Sequence, residues 1–271
     1  MCPPGYNYTR SRTAERFRIM RDAIQAQKRP ILYSLCEWGT AGVQEWGNDT
    51  GASWRSTDDI NATWPSILDL WNQNLFHLNH VDFWGHSDAD MLEVGNGITI
   101  PESRTHFAFW AAMKSPLLIG TDLAKIGKGE LEILKNKYLL AFNQDPVYGK
   151  PATPYKWGTN PDWTWNVTFP AEYWSGLSQQ GVLVLMFNPY SDWRDKTAVW
   201  AEIPYLEEGE SYDVHDIWTD THIGCMKDSL TMEIGGHDTA ALLITGKCKE
   251  DYNTKPAGSR LARGLRFLGD W

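Results

Sequence analysis

The sequence predicts an α/β region followed by an antiparallel all-β region. Up to about residue 147, apolar runs alternate with helical patterns at intervals of about 25–40 residues, as βαβ units do. After Pro146, strand patterns continue without helices and are separated by Gly, Asp and Asn turns, which is typical of a β-sandwich. A whole (β/α)8 barrel takes about 250 residues. The first region is shorter and therefore predicts part of a barrel.

The α/β region is predicted to contain four helices and three strands. Pro101 suits the first position of the third helix. The predicted helices cover residues 11–27, 64–76, 101–114 and 131–138. Two apolar runs, 31–35 and 116–120, predict buried strands, and residues 80–84 predict a further strand.

The all-β region contains at least four predicted strands, at 181–187, 197–200, 212–217 and 240–244. We therefore predict a partial barrel over residues 1–147 and a β-sandwich over 148–250. The tail, 251–271, has scattered Gly and Arg without a strand pattern, and we expect it to be disordered.

Composition excludes some classes of function. A net charge of −9 argues against a nucleic-acid partner. The sequence contains no run of eighteen apolar residues, so no membrane span is predicted. Fifteen Trp residues are consistent with stacking on sugars, but core packing is the more common use of aromatic side chains. No metal or cofactor site is predicted. Cys36 has no Cys or His partner at ligand spacing, so we expect a buried thiol.

The Asn-x-Ser/Thr sequons favour secretion, whereas four Cys are too few for a disulfide scaffold. Cys225 and Cys248 flank predicted strands and are candidates for a disulfide. Four Asn-x-Ser/Thr sequons are candidates for N-glycosylation, at Asn7, Asn48, Asn61 and Asn166. We expect a secreted protein. Because the sequence opens without a basic or apolar leader pattern, we also expect that its front part is missing.

Acidic residues follow several predicted strands. Glu37 comes after the 31–35 run, Asp58 and Asp59 follow Trp54, and Asp88 with Asp90 follows the 80–84 run. Asp122 follows the 116–120 run in the same way. Acids at successive strand ends of a barrel predict a polar cleft suited to acid–base chemistry. For any single one of them, capping the next helix is the more common role.

Several long motifs occur in a fixed order. They read YSLCEWG at residues 33–39, SWRxxxDI at 53–60, DADMLEVGNG at 88–97, AAMKSPLLIG at 111–120 and NQDP at 143–146. Together they resemble glycoside hydrolase family 27, the α-galactosidases, over roughly residues 1–250. This resemblance implies the C-terminal half of a TIM barrel, strands 5–8, followed by the family's C-terminal β-sandwich. It also implies retaining hydrolysis of terminal α-D-galactosyl residues.

The resemblance also implies roles for individual residues. Asp59 matches the general acid/base, and we prefer it to Asp58 because the family's spacing from Arg55 is four residues. Arg55 matches the arginine that binds sugar hydroxyls, and its charge would help to keep Asp59 ionised in the deglycosylation step, where Asp59 acts as the base. Glu37 matches the acid near the 2-hydroxyl, which favours galactose over N-acetylgalactosamine. Trp38 would form a wall of the sugar pocket, and Asp90 and Met91 match the pair at its back.

Two departures from the family pattern matter. Gly85-His86-Ser87 stands where the family has Gly-Trp-Asn, and we interpret His86 as a loop histidine rather than a pocket-rim residue. The family's nucleophile is an Asp two residues before a Cys, which Cys2 matches. Only Met1 precedes Cys2, so we expect the nucleophile to be missing and this chain alone to be inactive, since double displacement needs two carboxyl groups.

Two alternatives remain open. The chain could be a non-catalytic remnant that binds sugar, or a β-L-arabinopyranosidase, which accepts the same ring stereochemistry without the hydroxymethyl group. The expected partners are galactose-containing oligosaccharides or polysaccharides. Because the acid/base must carry a proton when it acts, we expect an acidic pH optimum.

Overall fold

The computed structural model describes residues 12–249, so the predicted tail, Cys2 and Asn7 lie outside the described part. Three short strands form a parallel sheet in the order β1-β2-β3, namely Ser34–Leu35, Ser53–Arg55 and His86–Asp88. A single parallel bridge joins Leu92 to Ile119. Six helices accompany the sheet, α1 Thr13–Gln25, α2 Val43–Trp46, α3 Trp64–Leu75, α4 Ile100–Ala112, α5 Lys128–Leu134 and α6 Lys137–Asn143.

The predicted strand at 80–84 is wrong. Residues Leu78–His80 form a 3-10 turn. Asp82 then closes a second turn, because its Oδ1 accepts the backbone N–H groups of Trp84, at 2.8 Å, and Gly85, at 3.2 Å. The strand therefore begins only at His86, and Phe83 and Trp84 are exposed.

The two predicted buried strands are shorter and more exposed than their apolar runs suggested. Only Ser34 and Leu35 of the first run form a strand, and Ile31 and Leu32 are exposed. Only Ile119 of the second run pairs, and it is about half exposed. In the part of the chain that the structure describes, β1 pairs with one strand, β2.

The predicted helix at 131–138 is two helices. Asn136 separates α5 from α6, because its side-chain oxygen accepts the backbone N–H groups of Tyr138 and Leu139 and so caps the second helix. The other three predicted helices correspond to α1, α3 and α4. Helix α4 begins with a capping box in which Thr99 and Glu102 bond each other's backbone, and Pro101 lies in its first turn.

The second region is an antiparallel sandwich of eight strands. They are β4 Thr153–Lys156, β5 Tyr173–Ser178, β6 Gly181–Phe187, β7 Arg194–Val199, β8 Ser211–Asp216, β9 Thr221–Lys227, β10 Ser229–Ile234 and β11 Thr239–Lys247. Six of them form one sheet in the order β4-β5-β6-β11-β8-β9, and β10 pairs with β7. The four predicted strands correspond to β6, β7, β8 and β11. The predicted fold class is confirmed.

Strand β6 is buried on both faces. Val182, Val184 and Met186 join the core between the two sheets. The alternate residues Leu183, Leu185 and Phe187 belong to the core that contains helices α3 and α4. This two-sided burial explains why β6 is a continuous apolar run rather than an alternating one.

An aromatic cluster joins the two regions. Trp71 of α3 stacks on Phe109 of α4 with ring centroids 3.8 Å apart, and Phe187 meets Trp71 edge-on at 5.0 Å. Trp174 of β5 packs against Phe109 at 5.2 Å. Six Trp side chains are almost fully buried, at positions 54, 71, 110, 157, 174 and 200. Much of the Trp content therefore serves the core, as the common interpretation predicted.

Polar contacts also join the regions. Arg104 of α4 forms a bidentate ion pair with Asp238. Glu102 Oε1 lies 3.0 Å from Nδ1 of His237, whose ring stacks on Trp64. Within the sandwich, Cys225 and Cys248 form a disulfide. Over residues 12–249, no helix is long and apolar enough to cross a membrane.

Candidate active site

Polar side chains converge where the three parallel strands end. Trp38 follows β1, Asp59 follows β2, and Asp90 follows β3, while Arg55 is the last residue of β2. Parallel strands place their C-terminal ends at one edge of the sheet. The structure accordingly brings Trp38, Arg55, Asp59 and Asp90 into one hydrogen-bonded cluster.

Asp59 receives two donors on the same carboxylate oxygen. The Trp38 indole N–H and the Arg55 guanidinium each reach Oδ1 at 3.1 Å. These hydrogen bonds, from Trp38 and from Arg55, lower the pKa of the Asp59 carboxyl below its ordinary value. The Asp59 side chain is 75% exposed, so its carboxylate is accessible to a ligand from solvent.

Arg55 links the two acids of the cluster. Its Nη2 lies 2.7 Å from Asp90 Oδ2 as well as 3.1 Å from Asp59 Oδ1. It also donates to the backbone oxygen of Asp58, at 3.1 Å. The Arg55 side chain is only 12% exposed, so these contacts hold it against the floor of the site.

Asp90 shapes its own loop. Its backbone has φ 80°, a left-handed conformation that is uncommon outside glycine. The conformation is held by hydrogen bonds: Oδ2 accepts the Ile60 N–H, Oδ1 accepts the Met91 N–H, and the Asp90 N–H donates to Asp88. Burial raises the pKa of Asp88, which lies behind them.

Helix α4 and the residues just after it anchor this loop from below. The Ala89 N–H donates to Ser115, the indole of Trp110 donates to the Asp90 carbonyl, and the Glu93 N–H donates to Nε2 of His106 at 2.9 Å. Burial lowers the pKa of His106 to about 3. Since its Nε2 accepts a hydrogen bond, the neutral ring carries its proton on Nδ1. These anchors are not predictable from the sequence, because nothing in an apolar helix distinguishes them from other core residues.

The turn that carries Trp38 is tightly built. Trp38 has φ 51° and Gly39 has φ 71°, and the Gly39 N–H donates to the Arg55 carbonyl at 3.0 Å. A Cβ added at Gly39 would lie 2.1 Å from the Ser56 backbone oxygen. Only glycine fits there, so the loop after β1 is pressed against the loop after β2.

The side-chain hydrogen bonds and ion pairs of the remaining candidate residues go to partners outside this cluster. Glu37 is half-buried, its Oε1 accepts the Thr40 hydroxyl at 2.9 Å, and burial raises its pKa. Met91 is exposed beside Asp90. Asp122 pairs with Lys125 at 2.9 Å and accepts the Ala124 N–H, so this acid serves its own turn.

Two expectations about neighbouring residues are wrong. Cys36 is exposed rather than buried, and it directly follows Leu35, the last residue of β1. His86 is the first residue of β3 rather than a loop residue, and its Nδ1 lies 3.0 Å from the Lys114 carbonyl oxygen. The residues that the structure describes contain no cluster of His, Cys, Asp or Glu side chains suited to hold a metal ion.

The three sequons inside residues 12–249 differ in their surroundings. Asn48 and Asn61 are exposed. Asn166 is half-buried, and its Oδ1 accepts the backbone N–H groups of Thr168, at 3.0 Å, and Phe169, at 3.2 Å. Asn61 lies two residues from Asp59 in the sequence, and its backbone N–H donates to the Ser66 hydroxyl.

Family models match both regions of the chain. The model described as alpha galactosidase A matches residues 5–145, just over half of the chain. The chain belongs to the α-galactosidase A family. A second model, the alpha galactosidase C-terminal beta sandwich domain, matches residues 168–244. The recognised resemblance to the α-galactosidases is thereby confirmed.

Fungal relatives are similar over most of the chain. A probable alpha-galactosidase B of Aspergillus oryzae is 54% identical over 253 residues, and one of Talaromyces emersonii is 53% identical over 258. Each match covers 91% of this chain and 57% of the relative. The chain therefore spans little more than half the length of these relatives.

Solved structures share the fold. Alpha-galactosidase I from Mortierella vinacea has a TM-score of 0.78 at 26% identity, and the match covers 88% of this chain and 64% of that one. The alpha-galactosidase from Saccharomyces cerevisiae, solved with raffinose, has a TM-score of 0.76 at 23% identity. That match covers 87% of this chain and 68% of the yeast chain.

Proposed function

We propose that the protein to which this chain belongs is a retaining α-galactosidase that hydrolyses terminal, non-reducing α-D-galactosyl residues. The observation that carries this proposal is the open carboxylate of Asp59, held by Arg55 and Trp38 at the C-terminal edge of a parallel sheet. In barrels this edge is where catalytic residues lie. Family membership supports the proposed substrate class.

In this proposal Asp59 is the general acid/base. It gives a proton to the leaving oxygen as the glycosidic C–O bond breaks, and that oxygen keeps the bonding electrons. In the second step Asp59 takes a proton from the attacking water. A carboxylate nucleophile from the other half of the barrel forms the intermediate between these steps. The exposure of Asp59 is consistent with a role that requires access to both the leaving group and water.

The sugar subsite in this proposal consists of Glu37, Trp38, Arg55, Asp90 and Met91. Arg55 and Asp90 present a fixed donor and a fixed acceptor, because each already holds the other in place at 2.7 Å. Such pre-organised polar groups bind sugar hydroxyls without a large ordering cost. Glu37 supports galactose over N-acetylgalactosamine, because a half-buried carboxylate leaves less room for an acetamido group than a small side chain does.

The natural substrates that we propose are galactose-containing oligosaccharides and polysaccharides. We also propose that the protein is secreted and carries N-glycans at its sequons. The exposed Asn48 and Asn61 are the best candidates within the described residues, and Asn7 lies outside them.

The experiment that tests the function uses a chimera. The chain is completed with the part of the Aspergillus oryzae relative that it does not cover, and hydrolysis of raffinose and of para-nitrophenyl α-galactoside is measured. Asp59→Asn should lower turnover of raffinose about 100- to 10,000-fold. The nitrophenyl substrate should lose less in the first step, because its leaving group needs little protonation. Galactose released first should be the α anomer, as retention requires.

The matched control is Asp58→Asn, which removes the neighbouring carboxylate whose side chain the resemblance does not assign. This variant should keep most of the activity. Full raffinose turnover by Asp59→Asn would overturn the assignment of Asp59. If para-nitrophenyl β-L-arabinopyranoside is hydrolysed faster than para-nitrophenyl α-galactoside, the activity is that of a β-L-arabinopyranosidase and not of an α-galactosidase.

A further inference from the structure

We propose that Trp38 is a positioning residue for Asp59: its indole N–H, together with Arg55, fixes Oδ1 and thereby assigns Oδ2 as the oxygen that carries the transferred proton. The inference rests on the proposed acid/base role of Asp59. It adds a hydrogen-bonding function to a residue that was expected only to wall the sugar pocket.

Both donors reach one oxygen atom. The Trp38 Nε1 and the Arg55 Nη2 each lie 3.1 Å from Asp59 Oδ1. Among the residues that the structure describes, Oδ2 has no hydrogen-bond partner. A carboxyl group with one oxygen held by two N–H donors takes its proton on the other oxygen, because the bonded oxygen already uses its lone pairs as acceptors. The two oxygens of Asp59 are therefore not equivalent.

The backbone is built to bring the indole to this place. Trp38 adopts φ 51°, a left-handed conformation that is strained for a residue other than glycine. Such a conformation persists only where its surroundings hold it. Here Gly39 packs against the Ser56 carbonyl and its N–H donates to the Arg55 carbonyl. The same two loops therefore carry the donor, Trp38, and the acceptor, Asp59.

The groups around Asp59 explain why a neutral hydrogen-bond donor matters for its carboxylate. Arg55 is the cation of the cluster, and it is shared between Asp59 and Asp90. Burial, together with the negative charges of Asp59, Asp90 and Asp88, raises the pKa of the Cys36 thiol, so these acids share one electrostatic neighbourhood. Trp38 stabilises the ionised form of Asp59 without adding a charge, and its hydrogen bond is the largest influence that lowers the Asp59 pKa.

The test is a titration that needs no substrate. The carboxyl carbon of Asp59 is followed by ¹³C NMR against pH in the 271-residue chain, and its signal is identified by its loss in Asp59→Asn. Trp38→Phe keeps an aromatic wall but removes the N–H donor. We expect the Asp59 titration midpoint to shift upward in this variant, toward that of an ordinary aspartate.

Trp46→Phe is the matched control. Trp46 lies in the same segment of chain, but its indole donates to the Ala41 carbonyl and not to a carboxylate. The Asp59 midpoint should stay unchanged in this variant. An unshifted midpoint in Trp38→Phe, or an equal shift in Trp46→Phe, would overturn the proposal.

A second variant covers the case in which Trp38→Phe does not fold. Replacing Trp38 by 3-benzothienylalanine keeps the shape of the indole and exchanges its N–H for sulfur. The upward shift is expected here too, and its absence contradicts the inference. Because no sugar is present, this result is independent of whether the completed protein hydrolyses galactosides.

Discussion

A buried ion pair inside the sandwich illustrates what single residues contribute. Lys196 of β7 and Glu172 pair at side-chain exposures of 9% and 1%. Glu172 also accepts the Thr159 backbone N–H at 2.8 Å. Lys196→Met keeps the alkyl chain but leaves the Glu172 carboxylate buried without its cation. We expect it to lower the free energy of unfolding by about 3–5 kcal/mol, measured by urea denaturation.

The control for this prediction is Lys156→Met. Lys156 pairs with Glu202 at 2.9 Å, and both side chains are well exposed to water. Its loss should cost about 0–1 kcal/mol, because exposed pairs contribute little. Equal losses in the two variants would mean that burial does not decide the strength of these pairs.

At the scale of elements, the disulfide ties strand β9 to the residue after β11. Cys225 and Cys248 are 23 residues apart in the sequence. Closing a loop of this length stabilises a fold by about 3 kcal/mol in the chain-entropy model. Cys225→Ser should lose that amount in urea denaturation, and reduced wild-type protein should behave in the same way.

Cys36→Ser is the control for the disulfide prediction, because Cys36 is a free, exposed thiol. It should leave the urea midpoint unchanged. A reduced wild type as stable as the oxidised protein would contradict the prediction.

The sequence predicted most helices and the most apolar strands, but it missed β4, β5, β9 and β10. Strand β6 was visible as a continuous apolar run, and helix α4 was marked by Pro101 at its start. The parallel strands are only two or three residues long. The apolar runs in the sequence therefore did not show where these strands begin and end. The position of β3 depended on the turn at Asp82. The hydrogen bond between Trp38 and Asp59 depends on the left-handed backbone conformation of Trp38, which a hydrophobic pattern cannot predict.

At the scale of the whole molecule, one aromatic cluster serves both regions. Phe109 of α4 contacts Trp71 of α3 and Trp174 of β5. Phe109→Ala removes a fully buried ring and should cost about 3–5 kcal/mol. Hydrogen exchange measured by mass spectrometry should increase in α3, α4, β5 and β6 together, because the cavity borders all of them.

Trp193→Ala is the comparison for this change, since Trp193 is exposed. Its exchange pattern should match that of the unmodified chain. Faster exchange in only one of the two regions of Phe109→Ala would show that they unfold independently.

The neutral His106 beneath the Asp90 loop links the acidity of the medium to folding. In an unfolded chain a histidine takes up a proton near pH 6.5, whereas in the folded chain His106 does so only at about 3. Between these values the unfolded chain binds the additional proton, so acidification favours unfolding. The same acidity increases the protonated fraction of Asp59. His106, which accepts the Glu93 N–H beneath the site, therefore sets a lower limit to the pH at which the folded protein can use Asp59 as an acid.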